Sequence, residues 1–470
     1  MTRVTVISTL FAAGMLAASA VAAQDALEQP RLVAPATYDD SYTRPSAETS
    51  PSDQPAPYVP AQPLNYCCAQ SACGAEPACG CEQSSCCCES GCCCESGCCD
   101  SCCGCGGGGS LLGDCCLGDA WTLHDAMNPC CEHVIGGWVS LGYHSDNTRL
   151  SEDDNDLRAF NDQPDHLNLH QAWLYFEKVA EAGCCSSDWG YRFDIMYGTD
   201  AQKTQAFGND GGTWDVTFDH GAYGWAMPQA YLEFAHGDWS VKAGHFYTIV
   251  GYEVVPAIGN FFYSHALTMF NSEPFTHTGV LSSYEAADGL TFHAGWTLGW
   301  DTGFDQLGGG SNWLGGWSIE MSDNLTFHYV STVGDLGWRG EGYSHSLVFD
   351  ADIACNLKYV LQSDYVNTED SPVGVGFDAV DDNEDVGVNQ YLLYTVNDCW
   401  GVGGRMEWWK SNAVTGESTS FYELTGGINY RPHANVVFRP EIRYDWTPAE
   451  EAVDDDYNNV VFGIDAVLTY

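Results

Sequence analysis

Counted back from its last residue in steps of two, the chain reads Tyr470, Leu468, Ala466, Ile464 and Phe462, all apolar. A period of two belongs to a β-strand with one face in an apolar medium. The same period recurs upstream. Phe438, Ile442, Tyr444 and Trp446 alternate with Arg439, Glu441, Arg443 and Asp445. Tyr422, Leu424, Ile428 and Tyr430 alternate with Glu423, Thr425 and Asn429. Leu357, Tyr359, Leu361 and Tyr365 oppose Lys358, Gln362 and Asp364, and Trp189, Tyr191, Phe193, Ile195 and Tyr197 oppose Arg192 and Asp194. One face is oily and aromatic; the other carries both signs of charge.

Alternation alone fits a soluble sandwich as well as a membrane barrel. Loop lengths separate them. The pattern marks about 16 strands, near 138–146, 167–179, 189–200, 225–236, 239–248, 277–287, 290–300, 313–321, 325–333, 343–353, 357–367, 387–397, 400–410, 421–431, 436–446 and 459–470. Long segments follow odd-numbered strands, as at 147–166, 201–224, 249–276, 301–312 and 368–386. Tight turns follow most even-numbered ones, such as Gly237-Asp238, Asp288-Gly289 and Asn397-Asp398-Cys399. This asymmetry predicts an all-β fold, an antiparallel transmembrane β-barrel with both chain ends on its short-turn, periplasmic side. The terminal aromatic matches the signal such barrels offer their assembly machinery.

Upstream, Arg3 precedes an apolar run from Val4 to Ala18, and small residues at 20–23 follow, the pattern of a removable export signal over residues 1–23. Residues 24–66, rich in Pro and Ala without apolar periodicity, read as a disordered linker, and 67–131 as a Cys-rich periplasmic segment before a barrel over 136–470. Past the signal no run of about 18 apolar residues occurs, so a membrane could be crossed only by a closed barrel. The 64 acidic against 16 basic residues exclude nucleic acid as a partner. Acidic runs such as Glu152-Asp153-Asp154 and Asp454-Asp455-Asp456 read as solvated loops that draw cations to the outer mouth.

Residues of roughly 136–470 resemble the β-barrel porin family described as OmpL-like, through Gln171-Ala172-Trp173-Leu174-Tyr175-Phe176-Glu177, Gln229-Ala230-Tyr231-Leu232-Glu233 and Lys242-Ala243-Gly244-His245-Phe246. The resemblance implies a porin-like channel of the outer membrane, embedded in its lipid and, like many large porins, a candidate homotrimer. The Cys-rich segment departs from a minimal porin.

A barrel of that size can hold an aqueous lumen. The candidate pore-lining residues are Arg192, Asp194, Lys358, Asp364, Arg405, Glu407, Glu423, Arg439, Glu441, Arg443 and Asp445. Either they set a field across the pore, or they pair and stiffen its wall. The segment 249–276, carrying Phe261, Phe262, Tyr263, Phe270 and Phe275, is too apolar for a free loop; a constriction inside the lumen and packing on the rim are both open. These features predict passive, cation-preferring diffusion of small hydrophilic solutes or ions.

Of the 24 cysteines most lie between Cys67 and Cys131. Export favours disulfides over thiolate metal binding. Candidates are Cys86, Cys87, Cys88, Cys92, Cys93, Cys94, Cys98 and Cys99, with Cys184, Cys185, Cys355 and Cys399 in predicted periplasmic turns, where a covalent tie between tail and barrel is sterically open. The second functional reading is accordingly a structural envelope protein whose barrel anchors a disulfide-crosslinked network. No phosphate loop, zinc-binding His-Glu-x-x-His run or nucleophile elbow occurs, so no enzyme, metal or cofactor is expected.

Overall fold

The computed structural model describes residues 115, 117–127, 132–147, 159–183, 186–208, 212–215, 219–370, 382–414, 416–448 and 457–470. Cys86 to Cys99, Cys184 and Cys185, the export signal and the linker lie outside them.

Sixteen strands close on themselves as an antiparallel barrel. They are β1 (Val134–His144), β2 (Asn168–Lys178), β3 (Ser187–Gly198), β4 (Gly224–His236), β5 (Trp239–Tyr247) and β6 (Thr276–Ala287). Next come β7 (Leu290–Thr297), β8 (Ser311–Ser322), β9 (Leu325–Asp335), β10 (Glu341–Ala354) and β11 (Leu357–Glu369). Then follow β12 (Asp382–Asn397), β13 (Trp400–Ser411), β14 (Thr419–His433), β15 (Val436–Trp446) and β16 (Asn459–Thr469). Each pairs with its neighbours in sequence, and β16 returns to β1 with Trp138 opposite Thr469 and His144 opposite Gly463. Closure leaves no strand edge, the condition for placing backbone in hydrocarbon. The first strand starts at Val134, two residues before Gly136.

The side chains sort inside-out. Leu232, Ile442 and Trp296 are 63%, 59% and 58% exposed on the outer face, with Phe176, Phe349, Leu424, Phe462 and Leu468 also exposed. Arg192, Asp194, Arg405, Glu423, Arg443 and Asp445 are buried within. A water-soluble sandwich would reverse this order; lipid outside and a polar interior require it. The short turns gather at one end with Tyr470, and the long connections at the other.

Candidate functional site within the lumen

The connection between β5 and β6 folds inward rather than onto the rim. Its base is closed by the Thr248 amide donating to Phe275 O at 2.8 Å. Pro256 (φ −54°) leads into a 3-10 turn, Ala257–Gly259, and a short helix, α1 (Leu267–Ser272), follows with every residue buried. Asn260 stitches the bend: its Oδ1 accepts from the Val254 amide at 2.9 Å, and its Nδ2 donates back to Val254 O. Gly251 stands at φ +87°, with the Glu273 carboxylate packed where a side chain would be.

One wall grips this segment by its peptide groups. Arg439 donates to Ala257 O at 2.6 Å and Asn260 O at 2.8 Å. Glu441 accepts from the Tyr263 and Ser264 amides at 2.8 and 3.1 Å. Arg405 donates to Ser264 O at 2.8 Å, and Arg443 to His265 O at 2.5 Å. Glu407 accepts from the Leu267 and Thr268 amides, and from the Thr268 hydroxyl, each at 2.6 Å. These side chains come from β13 and β15, strands whose inward faces alternate charge, so the sequence places donors and acceptors at the spacing of a second backbone.

The same wall carries a slot. Gly403, Gly427, Glu441 and Gly463 are register partners in turn across β13 to β16. A Cβ at Gly403 would stand 2.6 Å from the Phe261 ring, at Gly427 3.1 Å from Phe262, and at Gly463 2.8 Å from Tyr263. On β1, a Cβ at Gly142 would meet the Tyr263 hydroxyl at 2.6 Å. Three consecutive aromatics thus seat where the wall has no side chains.

The adjoining wall, β1 to β3, is aromatic. Trp138 and Trp173 stack with centroids 4.5 Å apart, and pack with Tyr175, Met196 and Ala257 of the infolded segment. Gln171 links them: it accepts from Trp138 Nε1 at 2.8 Å and the Ala257 amide at 3.0 Å, and donates to Val255 O at 2.7 Å. The Tyr263 hydroxyl bonds His170 Nε2 at 2.6 Å. Across the lumen, Gln362 accepts from the Tyr252 amide at 3.1 Å and donates to Glu273 at 2.5 Å and Asp364 at 2.6 Å. Burial, reinforced by the Asp364 carboxylate, pushes the Glu273 carboxyl well above the usual carboxylate range.

The charges are unevenly matched. Arg192 pairs with Asp194 and Glu177, Arg405 with Glu253 and Glu423, Arg439 with Asp465 and Arg443 with Asp445. Glu407 and Glu441 are instead held by backbone amides and a hydroxyl, and Asp364 by an amide side chain. Lys358 sits toward the short-turn mouth, bonded to Asp350 at 3.0 Å. All eleven candidate lumen residues therefore lie on the inner face, but most of them clamp the segment or each other. Gln171, Gln362, Glu253 and His170, which share that clamping, were not singled out from the sequence. For Gln171 and Gln362, inward parity with Trp173 and Asp364 is the available signal; His170 stands at a register shift in β2 and Glu253 in the infolded connection, where parity gives none.

The family model described as "Putative beta-barrel porin-2, OmpL-like" matches residues 133–470. Similar solved structures include the outer membrane channel DcaP of Acinetobacter baumannii, at 11% identity over 72% of this chain and 97% of that one, TM-score 0.47. A loop L8 deletion mutant of OmpT, an outer membrane protein of Vibrio cholerae, is 12% identical over 72% and 99%, TM-score 0.46. An anion-selective porin from Comamonas acidovorans is 10% identical over 72% and 99%, TM-score 0.46. No curated protein matches the chain.

Proposed function

Because the chain belongs to the OmpL-like β-barrel porin-2 family, we propose that it conducts small hydrophilic solutes or ions across the outer membrane, cations preferred. The short turns and the N-terminal segment face the periplasm in this reading. The path runs past the infolded segment, whose wall contacts set the bore. The candidate residues Arg192 to Asp445 line that path or hold the segment that narrows it.

One observation supports the cation preference. Each of the four lumen arginines, Arg192, Arg405, Arg439 and Arg443, faces at least one carboxylate, whereas Glu407, Glu441 and Asp364 are answered by neutral donors. Such carboxyls, where ionised, and the acidic outer loops are the charge that would draw cations in. The test is reversal potential under a salt gradient in planar bilayers. A cation-selective potential that fades as salt rises is expected. An anion-selective potential would overturn the preference, and absence of conductance the channel reading. A plugged barrel anchoring a crosslinked envelope network is the second reading, favoured by the dense lumen and the bond between Cys115 and Cys399; multimer ladders on gels run without reductant would mark it.

A further inference from the structure

Cys115 and Cys399 form a disulfide, with Cα atoms 5.9 Å apart and a sequence separation of 284. Cys399 lies in the turn between β12 and β13, at the short-turn end. Residues 121–127 hold to the same rim. The Trp121 amide donates to Asn435 Oδ1 at 2.8 Å, and Asn435 Nδ2 donates to Trp121 O at 2.6 Å, in the β14–β15 turn. The helix Leu123–Met127 then lies against β1. Cys355, in the β10–β11 turn, is disulfide-bonded as well. Fastenings thus occur at successive turns from β10 to the β16–β1 seam.

A cavity of about 250 Å³ opens at this end. Cys355 and Cys399 stand on its wall together with Lys358 and Arg431, and Phe261 of the infolded segment reaches it from within. Gly401 is two residues on from Cys399, and a Cβ there would stand 3.2 Å from the Phe261 ring. The bonded turn and the aromatic at the inner end of the mouth are therefore neighbours.

We propose that the Cys115–Cys399 bond is a thiol-labile brace on the bore. Closed, it holds the β12–β13 turn and the wall on which Phe261 rests. Opened by a dithiol reductant, it frees the turn and widens the short-turn mouth. One reductant thiolate attacks a sulfur of the bond, and the other cysteine sulfur leaves and takes a proton. The second reductant thiol then displaces the remaining cysteine sulfur, so two electrons and two protons pass to Cys115 and Cys399 and the reductant becomes a disulfide. An oxidising compartment makes the closed state the resting one. This inference rests on the channel reading.

The test records full-length protein in planar bilayers before and after dithiothreitol, then after oxidised glutathione, with maleimide labelling of Cys399 read by mass mapping on separate aliquots withdrawn at each stage. Conductance is expected to rise roughly twofold or more as Cys399 becomes available to maleimide in the parallel aliquots, and to fall back on re-oxidation. Cys399→Ser should conduct at the raised level and ignore reductant. Cys115→Ser opens the same bond without touching the barrel, which guards against a folding defect. Unchanged conductance with Cys399 labelled, or with Cys115→Ser, overturns the brace and leaves the channel standing. Absence of conductance in every redox state overturns both.

Discussion

The infolded segment is held by two walls of opposite chemistry. Strands β13 and β15 take its peptide groups with arginines and carboxylates, while β1 to β3 meet Ala257 with Trp138, Trp173, Tyr175 and Met196. The charged wall reads backbone, so it places the segment in register while leaving its side chains free to fit the glycine slot. The aromatic wall reads shape with its rings, and takes the Val255 and Ala257 peptide groups through the neutral Gln171. Removing one member of a buried ionic set strands its partners, whereas trimming a packed ring removes only its own contacts. The two walls should therefore fail differently.

Arg405→Ala is the largest expected breach. It strands Glu253 and Glu423 in the interior and removes the donor to Ser264 O. A loss of about 3–5 kcal/mol is expected, seen as a lower urea midpoint together with a larger single-channel conductance. Gly427→Val should push Phe262 out of its slot at a cost of about 1–3 kcal/mol. Its neighbour Gly426 has nothing within 4 Å of the Cβ position, so Gly426→Val is the control and should leave the midpoint unmoved. Trp138→Phe keeps the stack but removes the donor to Gln171. About 1 kcal/mol should be lost, with conductance close to that of the parent. A Trp138→Phe loss as large as that of Arg405→Ala would erase the distinction between the walls.

The smallest effect is a pH slope. Glu273 holds its proton well above the usual carboxylate range because it is buried beside Asp364. A raised folded value means the stabilisation is full below the unfolded carboxylate range and lost as pH rises through the folded value. The segment should loosen toward alkaline pH, with the unfolding midpoint falling, and Glu273→Gln should flatten that slope. A midpoint that falls toward acid in this region instead would show another group in control.

The barrel was legible because lipid enforces a strict alternation that each strand carries by itself. Tyr470 to Phe462 alone identify a strand, and loop asymmetry orients the rest. The apolar excess of 249–276 likewise betrayed a segment needing cover. What it would touch was hidden, because its partners sit on strands up to about 180 residues away, as with Tyr263 and Glu441. Gly403, Gly427 and Gly463 become a slot only once cross-strand register is known; in the sequence they are three glycines among 51. Cys399 was foreseen at the rim, but its partner Cys115 was one of many in a dense cluster.

Tyr263 touches Gly463 on the last strand and Gly142 on the first, while Glu441 on the penultimate strand accepts its amide. A residue from the middle of the chain therefore spans the join between its two ends. Sealing the cylinder and seating the segment thus draw on the same side chain, so a chain with the excursion deleted would keep the β1–β16 ladder but lose the internal former behind it.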